Sequence, residues 1–325
     1  MAYVPAEYPS SAGRAGSRAA APTIFGPTHN HASAAHHRSL SGITRLIRGL
    51  DHEETREQSL DLLCKYRQAR DDLGILLWNS FGTVKLLLQE ITSVYRPLLS
   101  GGLSERAMTQ VCNAIALLQS VASHPDTRMP FIKASIPVYL YPFLNTMNSE
   151  RNYECLRLTS LGVIGSLAKV DDAEVVDYLL STQIFPSCLR CMEVGRTLSK
   201  TVATFIIYRI LLNEKGLKYC FILADRYLSV SHALAKMVEG LAEEDENSPR
   251  LLRNIIGCYL RLSENQRTRQ RLSTYIPSKL VDNTYIDILR GDPEAIGNLQ
   301  QLIYNLKTSQ RSRPQPIGLV IGAVH

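Results

Sequence analysis

Apolar residues recur along this chain at helical spacing, and the runs are cut at regular intervals by recurring kinds of break. Ile43, Leu46, Ile47 and Leu50 mark a first helix, Asp51 begins a turn, and Glu53–Arg67 carries a second amphipathic stretch. Leu73–Val94 reads as one long apolar helical segment holding the only tryptophan, Trp78. After the break at Ser100-Gly101-Gly102, Met108, Val111, Cys112, Ile115, Leu118 and Ala122 fall on one helical face. From there the pattern repeats about every 45 residues as an apolar helix, a polar turn, a second helical run, a small-residue or Ile-Pro break, and a third helix. The polar turns fall at His124-Pro125-Asp126, Val170-Asp171-Asp172, Asn213-Glu214-Lys215 and Ser263-Glu264-Asn265. The breaks fall at Ile136-Pro137, Phe185-Pro186 and Ile276-Pro277. A period of this length in an all-helical pattern predicts a solenoid. Each unit leaves an apolar face that only its neighbours can cover, so the product is an extended surface suited to holding partners.

The flanks read differently. Residues 1–40 are rich in Ala, Ser, Gly, Pro and His and lack periodicity, which predicts a disordered tail, and His29, His31, His36 and His37 read as part of it. Residues 41–305 form the repeat domain, about six units, and 306–325 read as a flexible extension. Glu243-Glu244-Asp245-Glu246 reads as a solvated loop between units.

Composition narrows the function classes. With 45% apolar and 20% charged residues in 325, the chain can bury a large core. No apolar run is long enough for a bilayer and the N-terminus has no signal-peptide pattern, so a soluble intracellular protein without a membrane partner is expected. Seven scattered cysteines read as buried free thiols, and Cys188-Leu-Arg-Cys191, which has no second pair nearby, reads as helix core. No cofactor or metal is expected, and no Gly-rich phosphate loop, His-Glu-x-x-His or Gly-x-Ser-x-Gly is present. His124-Pro125-Asp126 reads as a helix stop and cap. The net charge of +6 permits an acidic partner. Arg250, Arg253, Arg261, Arg267, Arg269 and Arg271 cluster near the end, with Glu264 as the nearby acid. They read either as a solvated face or as phosphate contacts for single-stranded nucleic acid.

Six runs in order, LLWNSFGTVKLLLQEI (76–91), VCNAIALLQSVASHPDTR (111–128), IPVYLYPFLNT (136–146), LRLTSLGVIGSLAK (156–169), LSKTVATFI (198–206) and CYLRLSENQRTR (258–269), resemble the "required for cell differentiation" family, the armadillo-type subunit nine of the CCR-NOT deadenylase complex. The resemblance covers about residues 41–305. It implies an all-α, right-handed armadillo superhelix of about six repeats that has no active site and docks on the NOT scaffold subunit. It also implies binding of short linear motifs of RNA-binding and silencing proteins, supporting mRNA deadenylation, decay and translational repression. Cytoplasm, P-bodies included, and nucleus are the implied locations. The oligomeric state, monomer or homodimer, stays open.

Three surfaces follow. On the helix from about Tyr153 to Lys169, the small polar face of Cys155, Thr159, Gly162, Ser166 and Lys169 opposes Leu156, Val163, Ile164 and Leu167. From the residues alone, Gly162 and Gly165 serve equally well for tight packing or for the approach of a partner helix. In the next unit Ser199, Val202, Ile206 and Arg209 form a stripe that ends in a charge, with Val202 in the core or at its edge. The resemblance implies a peptide groove at Gly162 and Val202, with Cys155 in place of the family's tyrosine. Trp78, Phe81 and Lys85 form a second stripe, read as core or contact. The resemblance implies scaffold binding there through Asn79, Phe81 and Lys85, with Asn79 replacing a histidine and Lys85 an alanine. Of the family's tryptophan-pocket positions, matched here by Ala224, Arg226 and Ser229, only Arg226 is kept.

Overall fold

A computed structural model of the chain describes residues 41–241, 248–282 and 284–311. The expected tail over 1–40 and the acidic loop lie outside the described residues. These are helical throughout: α1 (41–49), α2 (Glu53–Tyr66), α3 (Leu73–Asn79), α4 (Thr83–Ser93), α5 (Tyr95–Ser100), α6 (Glu105–Ser123), α7 (Pro125–Lys133), a 3-10 turn (Ile136–Leu140), α8 (Tyr141–Asn145), α9 (Arg151–Ala168), α10 (Ala173–Ser181), α11 (Ile184–Val194), α12 (Thr197–Leu212), α13 (Glu214–Ile222), α14 (Ala224–Gly240), α15 (Pro249–Ser263), α16 (Gln266–Tyr275), α17 (Ser278–Val281), α18 (Ile286–Leu289) and α19 (Pro293–Arg311). The last helix continues to Arg311, past the Asn305 boundary read from the sequence.

The helices stack in three rows. Long helices α6, α9, α12, α15 and α19 pack each on the next, α8, α11 and α14 form a second row, and α7, α10 and α13 a third. A unit is one helix from each row, and the chain is a helical repeat solenoid of the kind the period predicts.

The polar turns are caps that start the short helix after each long one. The side chains of His124, Asp172 and Asn213 accept from the backbone N–H of Asp126 (3.2 Å), Glu174 (2.8 Å) and Lys215 (2.9 Å). Three residues beyond the cap, the chain crosses the end of the preceding long helix. Thr127 there donates to the Val121 carbonyl at 2.6 Å, and Gly216, in the same register, lies against the Ile210 carbonyl. A Cβ on Gly216 would overlap that backbone oxygen, so Gly216→Ala should lower stability by about 1–3 kcal/mol, read by urea unfolding. An unchanged midpoint would show that the junction yields.

One sequence expectation fails here. The apolar stretch 73–94 is two helices, broken at Ser80-Phe81-Gly82, where Gly82 has φ 77°, a left-handed conformation that interrupts the helix. Trp78 therefore sits on α3 and Lys85 on α4, with Phe81 at the corner between them.

Candidate functional site

Helices α9 and α12 pack side by side and carry the positions at which the family resemblance implies a peptide groove. On α9 the buried face of Leu156, Val163, Ile164 and Leu167 faces the core, while Cys155, Thr159, Gly162 and Ser166 stay half-buried and Lys169 exposed. On α12 the expected stripe needs correction. Ser199 and Ile206 are fully buried, and the accessible line runs Leu198, Val202, Phe205 and Arg209, the i, i+4, i+7, i+11 positions of one face. Val202 is half-buried, at the core's edge.

The two glycines divide the roles left open by the sequence. Gly165 is buried where α9 meets α12, since a Cβ on it would stand 3.5 Å from Val202 Cγ1. Gly162 remains half-open to the surface, and a Cβ there would meet only the Gln119 amide, at 3.3 Å. Gln119 links three helices: its Oε1 accepts from Arg67 Nη2 at 3.2 Å, and its Nε2 donates to Ser166 Oγ at 3.0 Å. Ser166 in turn donates to the Gly162 carbonyl at 2.9 Å. The groove floor is therefore small and polar on the α6 side and apolar along Val202 and Phe205. Gln119 and Phe205 were not singled out from the sequence, where each looks like an ordinary helical position.

Cys155 lies half-buried near the N-terminal end of α9. Burial raises its thiol above the usual range, against the pull of Arg151 and Arg196. Burial also pushes Cys64, Cys112 and Cys191 up to about 12, and Cys188 and Cys258 are raised too, so these thiols pack as small hydrophobes. Among the described residues no group of three or more His, Cys, Asp or Glu is placed to hold a metal.

The scaffold candidates surround the α3–α4 corner. Trp78 is half-buried and packs against the core with part of its ring accessible; Asn79, Phe81 and Lys85 are exposed, and Phe81 is 107% exposed. Arg226 is engaged: its guanidinium stacks 3.7 Å above the Tyr219 ring, its Nη1 donates to the Tyr219 carbonyl at 3.2 Å, and Tyr219 packs edge-on to Phe185. Ala224 and Ser229 beside it are exposed.

The arginine cluster is more acid-paired than the sequence suggests. Arg253 pairs with Asp292, and Arg261 pairs with Glu214 at 2.9 Å and also with Glu264. Arg261 also donates to the carbonyls of Leu211 and Leu212, and Arg269 to those of Ser263 and Glu264. This closing of helix ends is general. Arg128 binds the carbonyls of Ala122 and Ser123, and Arg209 those of Ala168 and Lys169, so one arginine seals the C-terminus of each of α6, α9, α12 and α15. Arg250 and Arg271 are exposed, and the Arg267 side chain lies outside the described residues.

Against known proteins, residues 46–306 match the cell differentiation family, Rcd1-like. The chain belongs to that family. Rcd1-like relatives include Protein CAF40 of Saccharomyces cerevisiae, 45% identical over 277 residues, which span 85% of this chain and 74% of that protein. Cell differentiation protein rcd1 of Schizosaccharomyces pombe is 47% identical over 252 residues, 78% of this chain and 88% of that one. In fold, this Rcd1-like chain resembles designed armadillo repeat proteins. One superposes with a TM-score of 0.59 at 15% identity, covering 81% of this chain and 99% of the other. Another, solved in complex with the peptide (KR)4, gives 0.55 at 14% identity with the same coverage. The architecture is thus armadillo-like, as the family resemblance implies.

Proposed function

We propose that the protein is a non-catalytic adaptor subunit of a CCR-NOT-type deadenylase complex. It docks on the NOT scaffold through Asn79, Phe81 and Lys85, and holds short helical motifs of RNA-binding proteins in the groove at Cys155, Gly162 and Val202. By bringing such proteins to the deadenylases it supports mRNA decay and translational repression, in the cytoplasm and nucleus. Membership of the Rcd1-like family supports this reading. The observation that carries it is Phe81, a large aromatic placed wholly in solvent by a left-handed glycine corner. Such a side chain adds nothing to its own fold and is the residue type on which interface energy concentrates.

The test is co-purification with the central region of the same organism's NOT scaffold. The wild-type chain should co-elute on size exclusion, and Phe81→Ala should weaken the complex by about 2 kcal/mol or more without changing the melting temperature. A wild-type chain that elutes alone would refute scaffold docking. A complex indifferent to Phe81→Ala would move the docking face elsewhere.

A further inference from the structure

The end of the groove at Cys155 has a charge that the fold does not account for. Arg151 is the first residue of α9 and Arg196 the N-cap of α12; both are exposed, and both act on the Cys155 thiol from neighbouring repeats. Neither guanidinium has a side-chain partner among the described residues. Of the acids acting on the same thiol, Glu154 is neutralised by Arg157, leaving Glu105 against two arginines. Both arginines also sit at helix starts, where the dipole disfavours positive charge, so local helix stability gains nothing from them. Arg250, the second residue of α15, is likewise exposed, and continues the basic edge into the next repeat.

We infer that Arg151 and Arg196 receive carboxylates of the partner, so that the groove selects amphipathic helical peptides carrying Asp or Glu on the edge that meets α9 and α12. This rests on the groove reading above and adds the charge of the ligand. The surface between the arginines and Val202 is made of the small side chains of Cys155, Thr159 and Gly162 on α9 and of Leu198 on α12, which leaves room for an apolar helix face. Beside the arginines no aromatic among the described residues is placed to stack a base, since Tyr153 is buried and the half-buried Phe205 lies more than two turns further along α12.

The experiment is display of 18-residue peptides, apolar at helical spacing and randomised elsewhere, against the full chain. Acidic residues should be enriched over basic ones beside the apolar face, and selection against Arg151→Glu/Arg196→Glu should invert that preference. For a selected peptide, Arg151→Gln/Arg196→Gln should lower affinity about three- to tenfold at low salt, with the difference shrinking at high salt. Both positions are exposed, so the variants should melt like the parent. Peptides lost with Val202→Glu but indifferent to the arginine changes overturn this inference and leave the groove standing. Peptides that survive Val202→Glu, or no selected peptide at all, overturn the groove and this inference with it. A 20-nucleotide single strand whose binding falls in the glutamine variant while peptide binding holds would assign the arginines to phosphate and also overturn it.

Discussion

Arg157→Ala should lose about 3–5 kcal/mol of stability and on the order of 10 °C in Tm. The Arg157 side chain is fully buried in α9, paired with Glu154, and its Nη2 donates to the carbonyls of Thr146 at 3.0 Å and Asn148 at 2.8 Å. Removing the guanidinium leaves a buried carboxylate without its counter-charge, the expensive loss, and two half-buried carbonyls with one fewer donor each. The Glu154→Gln/Arg157→Ala double variant should recover part of the loss, since the stranded charge is then gone. It should not recover all of it, because the carbonyls remain unserved. Chemical denaturation of the three proteins reads this directly. A loss below about 1 kcal/mol for Arg157→Ala would mean that water reaches the pair and screens it.

Val202→Glu should reduce peptide binding about a hundredfold or more while the protein stays folded. The site is half-buried at the groove edge, so the carboxylate can turn to water in the free protein, but a bound helix would trap it against apolar surface. Ile206→Glu, one turn further and fully buried, is the contrast: it should abolish cooperative melting. Circular dichroism melts beside fluorescence anisotropy with a selected peptide separate the two. Unfolding by Val202→Glu would place that valine in the core and remove it from the groove, and unchanged peptide affinity would do the same by another route.

The repeat frame was legible because its punctuation is local. His124, Asp172 and Asn213 cap the backbone two residues ahead, so a polar residue after an apolar helix shows where each unit turns into its next helix. Face assignments on α9 were legible for the same reason, resting on a 3.6-residue period. The corner at Gly82 was not, since one glycine inside an apolar run is compatible with a continuous helix and only its backbone angle separates the cases. Arginine roles were hidden by distance along the chain. Arg209 reaches the end of α9 and Arg261 the end of α12, contacts made across a whole repeat, so a charge count in sequence cannot separate a sealing arginine from a free one. Arg157 was missed likewise, because an arginine in a helix looks like surface until its carboxylate and carbonyl partners are placed around it.

The Glu154 carboxylate holds more than Arg157. Its second oxygen accepts the backbone N–H of Arg196 at 2.9 Å, at the start of α12. One side chain thus ties the first turn of α9 to the N-cap of α12, and that link is anchored by a buried guanidinium. The spacing of α9 and α12 at the Cys155 end is fixed by the fold itself. On the proposed groove reading, recognition there is template-like: little ordering entropy would remain to be spent on closure when a helical peptide binds.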